Sequence, residues 1–124
     1  ARTILEAPLL TDSECDHLLE IAHRVAAQNL KEISPSEKPN LHQPPVGWNK
    51  DRHTAYPTCD LNWAIDPFTD QEKHWLAQKL DHRLSPVIER VYGINPGAIR
   101  ANDIFVVRYD AVGGQQALRK HTDS

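Results

Sequence analysis

The chain reads as an α+β protein. Two stretches with helical apolar spacing come first, each opened by a Thr-x-x-Glu box, and a β-branched, aromatic run follows late in the chain. A proline-dense stretch separates the two helical patterns. Helices first and sheet later is the order of an α+β domain rather than of alternating βαβ units. With 124 residues the chain fits one domain at most.

Thr3-Ile4-Leu5 is a short apolar segment expected to enter the fold as a strand. Thr11-Asp12-Ser13-Glu14 is a capping box, in which the Thr hydroxyl and the Glu carboxylate each satisfy an amide of the first helical turn. Leu10 and Cys15 flank it with the spacing of a hydrophobic staple. Cys15, Leu18, Leu19, Ala22, Val25 and Ala26 then recur at helical spacing, leaving Glu20, His23 and Arg24 for solvent. On this reading Cys15 is a small core hydrophobe, with a Cys15–Cys59 bridge as a minor alternative.

From Lys31 to about Pro57 no periodicity survives. Pro35, Pro39, Pro44, Pro45 and Pro57 break any helix and remove backbone donors. The stretch 31–57 is therefore a long Pro-rich loop, of the kind that is functional or mobile in compact domains. Trp48, His53 and Tyr56 suggest that its second part packs back onto the body. Thr69-Asp70-Gln71-Glu72 is a second capping box. Leu76, Leu80, Leu84, Val87, Ile88 and Val91 carry an apolar stripe from it to Gly93, a C-terminal stop. Ser85-Pro86 should kink this helix, or end it and cap a second one. Asn95-Pro96-Gly97 is a turn. Ile104 to Tyr109 reads as a buried strand, Ala111 to Gln116 as a loop, and Leu118 to Asp123 as the next strand.

Composition narrows the function classes. Fourteen Lys and Arg against seventeen Asp and Glu give a net charge of -3, with no basic stripe for a nucleic acid to follow. No apolar run approaches the ~20 residues of a membrane span. The two cysteines lie too far apart for a CxxC redox or zinc motif.

The residues with the most chemistry are His121-Thr122-Asp123-Ser124. On a strand, His121 and Asp123 project to one face, because side chains alternate with period 2. A neutral imidazole and a carboxylate on one face can take two adjacent positions on a divalent iron. One distant His would complete the 2-His-1-carboxylate triad of non-haem Fe(II) oxygenases. His17, His23, His74 and His82 fall on helical patterns and are poor candidates for it.

The context of that triplet resembles a known family. Phe105-Val106-Val107-Arg108-Tyr109, a loop, and Gln116-Ala117-Leu118-Arg119-Lys120-His121-Thr122-Asp123-Ser124 are similar to the first metal-binding stretch of Fe(II)/2-oxoglutarate dioxygenases of the prolyl and lysyl hydroxylase branch. Lysyl hydroxylases show a similar "FVV-basic-Tyr", a loop, and "LR-x-H-x-D-x-S". Tyr56-Pro57-Thr58-Cys59-Asp60-Leu61 resembles their "PTxD" segment, and the Thr11 to Val25 helix resembles the opening helix of prolyl-hydroxylase domains. The likeness covers most of the chain in matching order.

The resemblance implies N-terminal helices packing on a double-stranded β-helix (jelly-roll) core, with residues 103–124 as its first strands. It implies iron ligation by His121 and Asp123, and O₂ and 2-oxoglutarate as co-substrates, with ascorbate as a candidate reductant. The substrate it implies is a protein or peptide side chain of Pro or Lys type, hydroxylated as 2-oxoglutarate is decarboxylated to succinate. Tyr109 matches a tyrosine near the 2-oxoglutarate, and a core-edge aromatic is the equal alternative at that position. Leu118 stands where some members carry a further Tyr. Trp48, His53 and Asp60 are read as structural ahead of lining the mouth of the site. Arg119 and Lys120 are read as solvated. The distal His and the basic partner of 2-oxoglutarate come later in the family's chains. Residues 1–124 are accordingly expected to be the N-terminal part of one dioxygenase domain, requiring a C-terminal half and inactive alone. Two alternatives remain: a binding module that keeps the fold without the chemistry, and an oxygenase acting on a small molecule or nucleic acid.

Overall fold

The computed structural model describes residues 6–32, 47–49 and 59–109. Among them the order is α1 (Asp12–Glu32), β1 (Cys59–Asn62), α2 (Asp70–Lys79), a π-helical turn (Leu80–Leu84), α3 (Ser85–Tyr92) and β2 (Phe105–Arg108). The mixture of helices with an antiparallel strand pair is α+β, as the patterning predicts. The strands expected at residues 3–5 and 118–123, the loop 111–116, and all of 33–57 except Gly47, Trp48 and Asn49 lie outside the described residues. Two compact units divide the chain, Ala1–Glu20 with Thr69–Asn102, and Ile21–Phe68 with Asp103–Ser124. Helix α1 runs through both.

In the first unit both capping boxes form. Glu14 N–H donates to Thr11 Oγ1 at 3.2 Å and Thr11 N–H to Glu14 Oε1 at 2.9 Å. The Thr69–Glu72 pair repeats the exchange at 3.1 and 2.8 Å. Glu14 has a second task. Arg83 Nη1 donates to its Oε1 at 2.6 Å and Lys79 Nζ lies 3.0 Å from its Oε2. Arg83 also reaches the carbonyl of Leu9 at 3.0 Å. The Arg83 guanidinium, then the Thr11 amide and the Lys79 ammonium, hold the Glu14 carboxyl far below the usual glutamate range. The His17 ring meets Trp75 edge-on at 5.0 Å, and Lys79 lies over the same indole at 5.8 Å.

This arrangement corrects the expected face of α1. Cys15 and Leu19 are exposed, Leu19 by 56%, while Ile21, Ala22, Val25 and Ala26 are buried. The inward stripe runs 14, 18, 21, 22, 25, 26, so the first-turn inward position belongs to a charged residue engaged by two cations. Cys15 and Leu19 sit beside that stripe rather than on it. Glu20, His23 and Arg24 face solvent as expected. Neither cysteine is in a disulfide, so the Cys15–Cys59 bridge does not form.

A second helix, α3, opens at Ser85 with Pro86 in its first turn, as one of the two expected outcomes has it, but Leu84 rather than Ser85 stands at its cap and a π turn joins it to α2. The backbone widens into the π turn before it, where Ser85 N–H donates to Leu80 O, five residues back. A proline ring collides with the carbonyl four residues earlier, and a wider turn relieves that clash. Pro86 then occupies the first turn of α3, where its missing donor is harmless. Gly93 ends α3 in the left-handed region at φ 65°, its N–H returning to Glu89 O. Asn95 to Ala98 closes a turn with Gly97 at φ 78° and a 3.1 Å bond from Ala98 N–H to Asn95 O, the arrangement a type II turn requires. The expected apolar stripe is buried only at its start. Leu76 is 7% exposed, but α3 has no buried residue, and Val91 and Tyr92 are 44% and 69% exposed.

The second unit is built on apolar burial. Ile21, Ala22, Val25 and Ala26 of α1 and Cys59, Leu61, Trp63 and Phe68 are all buried, with Trp63 and Phe68 rings 4.3 Å apart. Strand β1, which the sequence patterning does not announce, pairs antiparallel with β2, Cys59 opposite Arg108 and Asn62 opposite Phe105. Trp63 N–H to Ile104 O extends the ladder at 2.9 Å. The expected buried strand at Ile104 to Tyr109 forms as Phe105–Arg108 but is only partly covered, Phe105 being 38% exposed. Asn29 ties α1 to this region, its amide donating to Gly47 O at 3.0 Å and Asp66 Oδ1 at 2.9 Å. Gly47, at φ 90°, lies against Ala26 so closely that a Cβ would collide with that residue's carbonyl group.

Candidate functional site

The site predicted from sequence centres on His121 and Asp123, and both lie outside the described residues. So do His53, Leu118, Arg119 and Lys120. What the structure describes is the platform leading to them, strand β2 and its neighbours in the second unit.

On this platform the strand register sorts side chains by face. Cys59 and Leu61 share one face of the ladder with Val106 and Arg108, and Asp60 and Asn62 share the other with Phe105 and Val107. Asn49 pairs with the far edge of β1 through two backbone bonds to Asp60, of 2.8 and 2.9 Å. Strand β1 therefore lies between Asn49 and β2. The same bridge places Trp48 so that the Arg108 guanidinium lies over its ring at 5.8 Å, within cation–π range. Trp48 is half-buried, while His53 and Tyr56, the other aromatic positions expected to pack back, lie outside the described residues.

Asp60 is fully buried, at 0% exposure. A carboxylate so buried needs polar partners. Tyr109 follows β2 directly and is 44% exposed. Among the described residues no group of three His, Cys, Asp or Glu side chains could hold a metal ion, and no helix is long and apolar enough to cross a membrane.

Arg108 over Trp48 is the pairing that sequence reasoning missed. Each residue was legible alone, one as the basic position before Tyr109 and the other as an aromatic in a loop. Their meeting depends on the Asn49–Asp60 bridge, which no local pattern announces. A scan against protein-family models and searches of curated proteins and of solved structures return no match to this chain.

Proposed function

We propose that this chain contributes the first iron-binding stretch of an Fe(II)- and 2-oxoglutarate-dependent dioxygenase domain that hydroxylates a protein or peptide side chain of Pro or Lys type. One structural observation supports the reading above the others. Phe105–Arg108 is a strand held by an antiparallel partner, so the run into His121 and Asp123 begins from fixed backbone. Tyr109 stands exposed at the end of that strand. The jelly-roll completion belongs to this proposal, with β2 as one of its first core strands and β1 paired beside it.

The donor set fits the metal. An imidazole and a carboxylate one residue apart are the ligand types a ferrous ion takes alongside one further His. When bound, iron with 2-oxoglutarate and O₂ supplies the oxidising power for C–H hydroxylation; the protein supplies placement. His121 and Asp123 would hold the ion, and Tyr109 would offer a hydroxyl to the co-substrate. Arg108 lies over the Trp48 ring.

The test uses the full encoded polypeptide under anaerobic conditions with Fe(II) and 2-oxoglutarate. A visible charge-transfer band and, on admitting air, release of succinate are expected, and His121→Ala and Asp123→Ala should abolish both while the circular dichroism is unchanged. Neither band nor succinate from the unsubstituted polypeptide would sink the dioxygenase reading.

A further inference from the structure

A pocket of about 320 Å³ lies in the first unit, where the π turn, α3 and the loop after α3 meet. Its walls carry Asp81, Ser85 and Glu89 on the helical side and Gly97 and Arg100 on the loop side, with Ile99 as an apolar surface. None of these residues has a part in the iron-site reading.

Its hydrogen-bonding inventory is unbalanced in a definite direction. In an α-helix the carbonyl of Asp81 would accept from Ser85 N–H, but here that N–H is taken by Leu80 O. The next amide along, at Pro86, does not exist. The Asp81 carbonyl is left without a donor from either amide, and Asp81, Ser85 and Pro86 all line the pocket. The Asp81 carboxylate and the Ser85 hydroxyl add acceptors beside it. Glu89 spends one oxygen on Gly97 N–H at 2.6 Å and keeps the other. On the opposite wall Arg100 uses Nη1 on the carbonyls of Gly97 and Ile99, which fixes the guanidinium on the loop and leaves Nε and Nη2 to donate.

Two carboxylates and one guanidinium are the mirror of a ligand with two cationic groups and one carboxylate. We propose that this pocket binds a basic α-amino acid, of lysine or arginine type, as a free molecule or as the C-terminal residue of a peptide. The ligand carboxylate lies on Arg100 as a charge-assisted pair. One cationic group takes Asp81, its carbonyl and Ser85, and the other takes the remaining oxygen of Glu89. The volume admits one amino acid, with water filling the rest, and not a folded partner. The wide turn then has a use beyond accommodating Pro86, since it supplies a backbone acceptor that a regular helix would have closed.

The proposal is independent of iron and 2-oxoglutarate, and so is its test. The full encoded chain, without metal, is titrated by calorimetry with L-lysine, L-arginine, L-glutamate, cadaverine and a short peptide ending in lysine. Backbone amide shifts of Ser85 and Gly97 are followed in parallel. Saturable binding of lysine or arginine is expected, with both amides moving. Cadaverine, which lacks the carboxylate, and L-glutamate should bind at least about tenfold more weakly. Asp81→Asn and Arg100→Gln, both at solvent-exposed positions, should each weaken lysine by about tenfold or more. The terminal-lysine peptide separates the two sources: equal binding assigns a chain end, and much weaker binding a free amino acid. No saturable binding of either basic amino acid overturns the proposal. So does binding that leaves the Ser85 and Gly97 amides unmoved, or cadaverine binding as tightly as lysine.

Discussion

The two compact units are held together by different physics. Of the buried apolar side chains among the described residues, all but Leu76 belong to the second unit, where four come from α1 and four from β1 and the turn after it. The first unit is tied instead by two capping boxes, the Glu14–Arg83–Lys79 ion pairs and an edge-on His17–Trp75 contact. One unit should respond mainly to lost volume, since apolar burial is insensitive to pH. The other should respond to protonation and salt, since its contacts are charge-assisted and partly open to solvent. A helix common to both can therefore loosen at one end while its other end stays packed.

The sharpest way to break the comparison is in the apolar unit. Leu61 is fully buried on β1, and Leu61→Ala should destabilise by about 2–5 kcal/mol through lost transfer energy and the cavity left behind. Denaturant unfolding followed by tryptophan fluorescence measures this. A loss below about 1 kcal/mol would mean the site collapses freely and is not a packed core. Next comes Gly47→Ala. Its φ of 90° and its contact with Ala26 predict a loss of roughly 1–3 kcal/mol from backbone strain and displacement of α1. A neutral result would show that Gly47 is not pinned there in solution.

The smallest effect probes the polar unit and carries a sign. The folded-state pKa of Glu14 lies below its unfolded value, so its contribution to stability is fully present above the ordinary glutamate range, about 4.3. That contribution is lost as pH falls below this range toward the folded-state value. Glu14→Gln should flatten this acid limb and leave stability near neutral pH only modestly reduced, because exposed ion pairs contribute little. Added salt should have the same direction of effect on the unsubstituted chain. Acid unfolding with an unaltered midpoint in Glu14→Gln would remove the carboxylate from its assigned role. Together the three measurements ask whether volume and charge really separate between the units.

Much of the local structure was legible before any coordinates. The boxes at Thr11 and Thr69, the stop at Gly93 and the turn at Gly97 are set by residues within a few positions of one another, and each forms as expected. The proposed iron ligands stand differently: His121 and Asp123 lie outside the described residues, and a ligand set also needs positions brought from elsewhere in the chain. Where the reading failed, a distant residue had intervened. Cys15 and Leu19 lost their expected burial because Arg83 and Lys79 claim the inward position for Glu14. The strand expected to be buried at Phe105 is half-open, because burial depends on what packs against a strand and not on its own β-propensity.

By itself, then, the sequence determined the capping boxes, the helical stop at Gly93, the turn at Gly97 and the mixed helix-and-strand class, though not the order, since β1 falls between α1 and α2. These follow from short-range sterics and hydrogen bonding, which act within a turn or two of chain. Only tertiary structure decided that β1 exists at all, since Cys59–Asn62 is a strand because Arg108 to Phe105 and Asn49 pair with it. Tertiary structure also placed Arg108 over Trp48, buried Asp60, and assembled the pocket beneath the π turn. Each depends on contacts between residues far apart in the chain, and such contacts leave no periodic trace in the sequence that makes them.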